Sequence, residues 1–296
     1  MSYAHRALEQ GFSLTKRGIY YKDVALFKSQ KIVDRFIDDL AATLQWDRAD
    51  LNIRATSKGL ICGSCLVIRL IGGASLRLND HQGTLIPAGE DIGQFEFESR
   101  VAWVLIVEKE AIFQTLCQLN FSKYPGLPGP GLIVTGKGYP DVATRHLVKM
   151  LSDNLPQCIP IVALVDADPY GLDILSVYKY GSHGLRHENE SLAACRVEWL
   201  GIKISELPEF RTDLNTLIPL TTHDERKARK MLCRPPENMP AEWRNALTRV
   251  LKMRRKAEIE IFSSVRTIGP ENEHRHPPPL VHYLCKKISC SISRES

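Results

Sequence analysis

No apolar run in these 296 residues approaches the roughly 18 that a membrane-crossing helix needs, so a helical membrane protein is not expected. The first residues, Met1-Ser2-Tyr3-Ala4-His5-Arg6, lack the apolar core of a secretory signal. Neither sign of charge dominates: 39 Lys and Arg against 34 Asp and Glu leave +5. That excess is compatible with a polyanionic partner and too mild to identify one. The eight cysteines have no ordered spacing. Cys62-Gly63-Ser64-Cys65 is a CxxC, but no second ligand pair follows at the close spacing of a zinc site, so it reads as two thiols in a turn. Without a secretion signal, the cysteines read as the reduced thiols of an intracellular protein. What is present is ordinary and sufficient: 44% hydrophobic residues, ample for a core, and a length that suggests two domains.

The most informative stretch is Ile161-Val162-Ala163-Leu164-Val165-Asp166-Ala167-Asp168-Pro169-Tyr170-Gly171. An apolar run with no polar face reads as a buried strand of a parallel sheet, stopped by Pro169 and Gly171. Asp166 and Asp168 then stand at the carboxyl end of a sheet, where open α/β sheets place ligands. On a strand, i and i+2 share a face, so both carboxylates can converge. Trp103–Val107 is a second such strand, ending in Glu108, and Leu132–Thr135 a third, ending in Gly136-Lys137-Gly138. Helices are expected over 110–119 and 141–151, the latter capped by Asp141. Strand and helix thus alternate from 101 to about 178, which implies βαβ units.

Upstream, 2–10 reads as a short helix and 27–45 as a longer one with apolar residues at helical spacing; 47–50 adds a helical turn. Leu51–Ala55 and Leu66–Leu70 read as strands. Helices followed by a small β-ribbon are consistent with a winged helix-turn-helix module, which places a helix against DNA. Residues 72–99, rich in Gly, Asn and Gln, read as a linker. Downstream, 197–200 reads as a strand, 221–232 as a charged helix, and 243–262 as one long basic amphipathic helix, carrying Arg249, Lys252, Arg254, Arg255 and Lys256. After about Ser264 the sequence turns Pro- and His-rich and is expected to be disordered.

Glu108, Asp166 and Asp168 on one sheet edge make a hard-cation site, suited to Mg²⁺ and through it to phosphate oxygens. Singly, each acid reads equally as a helix cap or turn residue. Lys137 between two glycines can meet a phosphate, or sit in an ordinary turn. Tyr20-Tyr21 reads, on composition, as a buried aromatic pair. A tyrosine hydroxyl becomes a usable nucleophile only beside a cation or a base, and Arg17 lies four residues before Tyr21, on the same face if the stretch is helical.

Five segments in order carry a resemblance: Lys16-Arg17-Gly18-Ile19-Tyr20-Tyr21, Ser57-Lys58-Gly59-Leu60-Ile61, Val107-Glu108-Lys109-Glu110, Thr135-Gly136-Lys137-Gly138-Tyr139-Pro140-Asp141 and Leu164–Gly171. Together they resemble the eukaryotic meiotic double-strand-break transesterases, relatives of the topoisomerase VI A subunit, over roughly residues 5–262. The resemblance implies an α/β protein in which a winged-helix DNA-binding domain precedes a Toprim domain. It divides the chain into a winged-helix domain at 1–71, a linker at 72–99, a Toprim domain with C-terminal helices at 100–264, and an atypical tail at 265–296. It implies Tyr21 as the nucleophile that leaves a 5′-phosphotyrosyl link, with Arg17 assisting. It implies Glu108, Asp166 and Asp168 as Mg²⁺ ligands, and Lys58, Lys137 and Tyr139 as DNA contacts. It further implies double-stranded DNA as partner, a homodimer at the cleavage site, accessory meiotic subunits including a topoisomerase VI B-like one, and nuclear chromosomes as the location. By family class the enzyme is an ATP-hydrolysing DNA topoisomerase. Family members carry more sequence before the position of Met1 and an ordered helical C-terminus, so a short first domain is expected. A catalytically impaired scaffold isoform and a hydrolytic Toprim nuclease are the alternatives; the latter would not need Tyr21.

Overall fold

The computed structural model describes residues 14–44, 46, 50–54, 57–210, 214–263 and 277–295, with 5, 6 and 9 besides. The expected 2–10 helix, the 47–50 turn and the 265–276 part of the tail lie wholly or mostly outside the described residues.

In chain order the strands are β1 (Leu14–Thr15), β2 (Ile53–Arg54), β3 (Leu60–Cys62), β4 (Leu66–Leu70), β5 (Ser75–Arg77), β6 (Thr84–Leu85), β7 (Ile92–Phe97), β8 (Trp103–Val107), β9 (Gly131–Thr135), β10 (Ile161–Leu164), β11 (Glu198–Gly201), β12 (Ile218–Pro219) and β13 (Arg255–Lys256). The central sheet runs β11-β10-β8-β9-β3-β6. Its first four strands are mutually parallel; β3 is antiparallel to β9, and β6 to β3. The helices Glu110–Gln118, Val142–Asn154 and Pro169–Tyr180 follow the parallel strands, as the alternating pattern predicts.

The apolar runs are explained by two-sided burial. In β8, Val104 and Ile106 enter one core cluster, while Trp103, Leu105 and Val107 enter the other. In β10, Ile161 and Ala163 face the first and Val162 and Leu164 the second. Side chains alternate with a period of two, so a strand covered on both faces needs an apolar residue at every position.

The N-terminal segment has its own small core: Leu14, Ile19, Val33, Ile37, Ala41, Leu51 and Ile53. Its helices are Lys16–Lys22, Val24–Phe27 and Gln30–Leu44. Thr15 caps the first, its hydroxyl accepting from the Gly18 N–H at 2.9 Å.

Several expectations need correction. The two strands read as a ribbon do not pair. β2 runs parallel to β1, while β4 sits between β5 and β7 in a separate three-stranded sheet. β3, assigned by sequence to the N-terminal unit, is hydrogen bonded to β9. Residues 72–99 hold β5, β6 and β7 and are not a bare connection. Their strands are short or exposed on one side, which leaves little periodicity to read. The long basic helix stops at Met253, where Arg254 adopts φ 53°, and the chain turns back through β13. The tail is not disordered throughout. Pro279–Glu295 is a helix whose Val281, Tyr283, Leu284 and Ile288 are buried in the second core cluster. Its apolar residues lie at helical spacing, but the Pro-rich segment before them hides the pattern.

Candidate active site

The sheet delivers Glu108 and Asp166 just past the ends of neighbouring parallel strands, since β8 stops at Val107 and β10 at Leu164. Asp166 and Asp168 lie in the turn beyond β10, so the strand alternation invoked from sequence is not what brings them together. Asp168 is the N-cap of the 169–180 helix, its Oδ1 accepting from the N–H groups of Tyr170 (2.8 Å) and Gly171 (2.7 Å). Gly171 is required by close approach: a Cβ there would lie 2.3 Å from the Asp166 carbonyl oxygen.

Each acid has one oxygen fixed by the backbone. Glu108 Oε2 accepts from the Asp166 N–H at 2.9 Å, and Asp166 Oδ1 from the Ile259 N–H at 2.9 Å. Glu108 does not cap the helix after it, whose N-cap is Lys109. The remaining aspartate oxygens face lysines: Asp166 Oδ2 lies 3.1 Å from Lys109 Nζ, and Asp168 Oδ2 lies 3.3 Å from Lys256 Nζ. Burial, followed by repulsion from Asp166, raises the Glu108 carboxyl to about 8. Burial also raises Asp166 to about 6, against the pull of the Ile259 N–H and Lys109.

Three carboxylates, with Glu108 and Asp166 raised by burial and crowding, are an all-oxygen donor set chemically suited to a hard divalent cation. The oxygens are not yet gathered around a point. Among the described residues, no group of three His, Cys, Asp or Glu could already hold a metal ion.

The nucleophile candidate stands elsewhere. Tyr21 is 61% exposed, not buried as its composition suggests, while Tyr20 packs on the N-terminal core. Helical spacing puts Arg17 on the same face: its Nη2 donates to the Tyr21 hydroxyl at 3.3 Å, and its guanidinium carbon lies 5.7 Å from the ring centre.

The three expected DNA contacts fall into two groups. Lys58 and Lys137 are neighbours, Lys58 Nζ donating to the Lys137 carbonyl at 3.1 Å. Lys137 adopts φ 52° and pairs with Glu110 at 2.8 Å. The Asp141 carboxylate holds this corner together. It caps the 142–154 helix through the Thr144 N–H (2.7 Å) and also accepts from the Lys58 N–H (2.6 Å). Tyr139 donates instead to Asp173 at 2.7 Å.

Asp173 is a buried residue that sequence reasoning missed. It also accepts from Lys227 and Arg234. Burial pushes its carboxyl up, but the hydrogen bonds from Lys227, Tyr139 and Arg234 outweigh it and hold it below the ordinary aspartate range. These partners come from segments distant in sequence, so no local spacing marks them. A cleft of about 930 Å³ joins the two units, lined by Lys16, Arg17, Tyr139, Arg145, Asp173 and Arg234 among others. Tyr21, Glu108, Asp166 and Asp168 are not among its lining residues. The CxxC is a pair of unbridged thiols: Cys62 and Cys65 are buried, and all eight cysteines are free.

The family model for the Toprim domain of the topoisomerase 6 A subunit and Spo11 matches residues 103–269, more than half of the chain. The chain belongs to the topoisomerase VI A subunit/Spo11 family. A second model of that family, type IIB DNA topoisomerase, matches residues 1–53. The meiotic recombination protein SPO11 of Mus musculus is 36% identical over 263 residues, covering 89% of this chain and 65% of that protein. Meiotic recombination protein SPO11-1 of Arabidopsis thaliana is 36% identical over 259 residues, 86% of this chain and 69% of that protein. The A subunit of DNA topoisomerase 6 of Arabidopsis thaliana is 33% identical over 267 residues, 88% of this chain and 59% of that protein. The chain therefore spans just under two thirds of the mouse relative and less of the plant topoisomerase. Its parallel-sheet region is a Toprim domain, a type that in general binds divalent metal. Among the described residues, no helix is long and apolar enough to cross a membrane.

Proposed function

We propose that this chain is the cleaving component of a metal-dependent DNA transesterase that makes double-strand breaks in meiosis. Tyr21 Oη attacks a backbone phosphorus, losing its proton. The P–O3′ bond breaks, the 3′ oxygen leaves as a hydroxyl after taking up a proton, and a 5′-phosphotyrosyl link remains. One phosphodiester replaces another, so the step needs no external energy source. The observation that carries this reading is the Arg17–Tyr21 pair: an exposed phenol with a guanidinium on its oxygen, on a capped helix.

Arg17 orients the phenol and meets the phosphate. Glu108, Asp166 and Asp168 hold Mg²⁺, which when bound supplies charge stabilisation at the phosphate. Lys58, Lys137 and Tyr139 touch DNA. The N-terminal unit serves as a winged-helix-type DNA-binding domain, supported by its separate core and its match to the type IIB family. The metal-binding unit is centred on residues 100–264 and takes in β3 and β6 of its sheet and the 279–295 helix. Neither Tyr21 nor Glu108, Asp166 or Asp168 lines the large cleft of the described residues, which supports an active site assembled from two copies. By family relationship the complex includes accessory meiotic subunits with a topoisomerase VI B-like partner and works on nuclear chromosomes.

Mixing two variants tests this. Tyr21→Phe and Glu108→Gln chains are each inactive, and mixing them restores single-strand nicking, because one hybrid site regains both halves. No recovery on mixing, in a preparation whose wild type cuts, contradicts a site shared between copies. One observation favours a second reading, a non-cleaving DNA-binding scaffold: the aspartate oxygens are held by lysines and not by each other around a cation position. Metal titration separates the two, since a scaffold binds DNA without needing Mg²⁺.

A further inference from the structure

The segment after the 241–253 helix turns back over the Asp166–Asp168 loop. The Ala167 N–H donates to the Ala257 carbonyl at 2.9 Å, the Ile259 N–H fixes Asp166, and Lys256 reaches Asp168. Lys256 is shared: its Nζ lies 3.3 Å from Asp168 and 3.2 Å from Asp224. Asp224 is buried and belongs to the capping box of the 222–232 helix, accepting from the Thr221 N–H. Lys109 is shared in the same way, 3.1 Å from Asp166, 3.0 Å from Glu258 and 2.6 Å from Glu260. Each ammonium therefore covers the one aspartate oxygen that the backbone leaves open, and each also touches at least one further acid that can hold it.

We propose that Lys256 and Lys109 are tethered counter-cations that keep the aspartate oxygens apart without metal and withdraw to Asp224 and to Glu258/Glu260 when a divalent ion binds. The inference rests on the metal role proposed for Glu108, Asp166 and Asp168. The physical ground is competition: an ammonium and a divalent ion seek the same oxygen, and a further acceptor for the lysine lowers the cost of its release. Without the lysines the Asp-x-Asp turn would carry uncompensated charge in a buried place. Both are positioning residues, acting through the aspartates.

The test is Mn²⁺ binding to the full chain, followed by electron paramagnetic resonance. Lys256→Met removes the competing charge and keeps most of the side-chain length. It should tighten Mn²⁺ at least about tenfold, a floor well below the full effect of one unit charge about 4 Å away at an effective dielectric of about 20. Lys256→Arg should stay within about threefold of wild type, since the charge remains. Asp224→Asn keeps a capping oxygen but removes the receiving charge, so it should weaken Mn²⁺ at least about threefold, and this effect should vanish in the Lys256→Met background. A purely structural role would weaken binding in both single variants. Weaker or unchanged binding in Lys256→Met overturns the proposal, as does an Asp224→Asn effect that persists without the lysine. Should Lys256→Met not fold, Lys256→Gln takes its place with the same expected sign. If Mn²⁺ binds wild type but ignores Glu108→Gln, the metal reading of the carboxylate edge fails, and the inference with it.

Discussion

Glu108→Gln should stabilise the metal-free protein at alkaline pH, and the size of the effect follows from where Glu108 sits. Its carboxyl is raised from 4.5 to about 8, first by burial and then by Asp166. In the unfolded chain it titrates near its ordinary value. Between those two values the folded state binds more protons than the unfolded state, so stability falls as pH rises through the window. Below the unfolded value both states are protonated and the loss is absent. Asp166, raised to about 6, adds a loss of the same sign beginning at lower pH. One unit is worth about 1.4 kcal/mol, so the rise at Glu108 alone costs about 4 kcal/mol by pH 8, with Asp166 adding to it. Glutamine still accepts from the Asp166 N–H but carries no charge. It should recover about 4 kcal/mol at pH 8 and almost nothing at pH 4.5. At roughly 2 °C per kcal/mol for a chain of this size, Tm at pH 8 rises by about 8 °C. Calorimetry at pH 4.5, 6.5 and 8 in the presence of a chelator measures it, and adding Mg²⁺ should stabilise wild type more than the variant. Lower stability of Glu108→Gln at pH 8, or wild-type stability that does not fall across the window, would refute the electrostatic account of the carboxylate edge.

Asp173→Asn leaves Lys227 and Arg234 without their shared acid. Because those side chains are 25% and 27% exposed, the loss should be about 2–3 kcal/mol in urea unfolding, below that of a fully buried pair. Leu284→Ala in the C-terminal helix should cost about 2–5 kcal/mol in the same assay, whereas a disordered tail would show no change. Arg17→Ala, at an exposed position, should change stability by less than about 0.5 kcal/mol while strongly slowing DNA cleavage in a gel assay.

The parallel sheet was legible because two-sided burial imposes an unusual pattern: Trp103–Val107 and Ile161–Leu164 are apolar at every position. The placement of Glu108 beside Asp166 followed from that, since neighbouring parallel strands end together. The Asp141 cap and the Arg17–Tyr21 contact were also readable, both being local relations at spacings of three and four. Pairing between segments far apart in sequence was not. The β3–β9 ladder depends on tertiary packing, so the strand at 60–62 could not be assigned to its sheet from its own residues. Lys256 looked like one more charge on a solvated basic helix. Only the αL turn at Arg254 brings it to Asp168 and Asp224, and nothing local announces that turn, since arginine has no preference for it. The buried Asp173 cluster escaped for the same reason, its cations arriving from residues 54 and 61 positions away.

The central claim is that Tyr21 becomes covalently joined to DNA. The direct measurement is to stop a cleavage reaction with denaturant, isolate protein that stays on DNA, digest both and map the modified peptide by mass spectrometry. The account predicts a nucleotide on Tyr21 through a 5′ phosphate, present in wild type and absent from Tyr21→Phe. Cleavage with no adduct, or cleavage that persists unchanged in Tyr21→Phe, would contradict it.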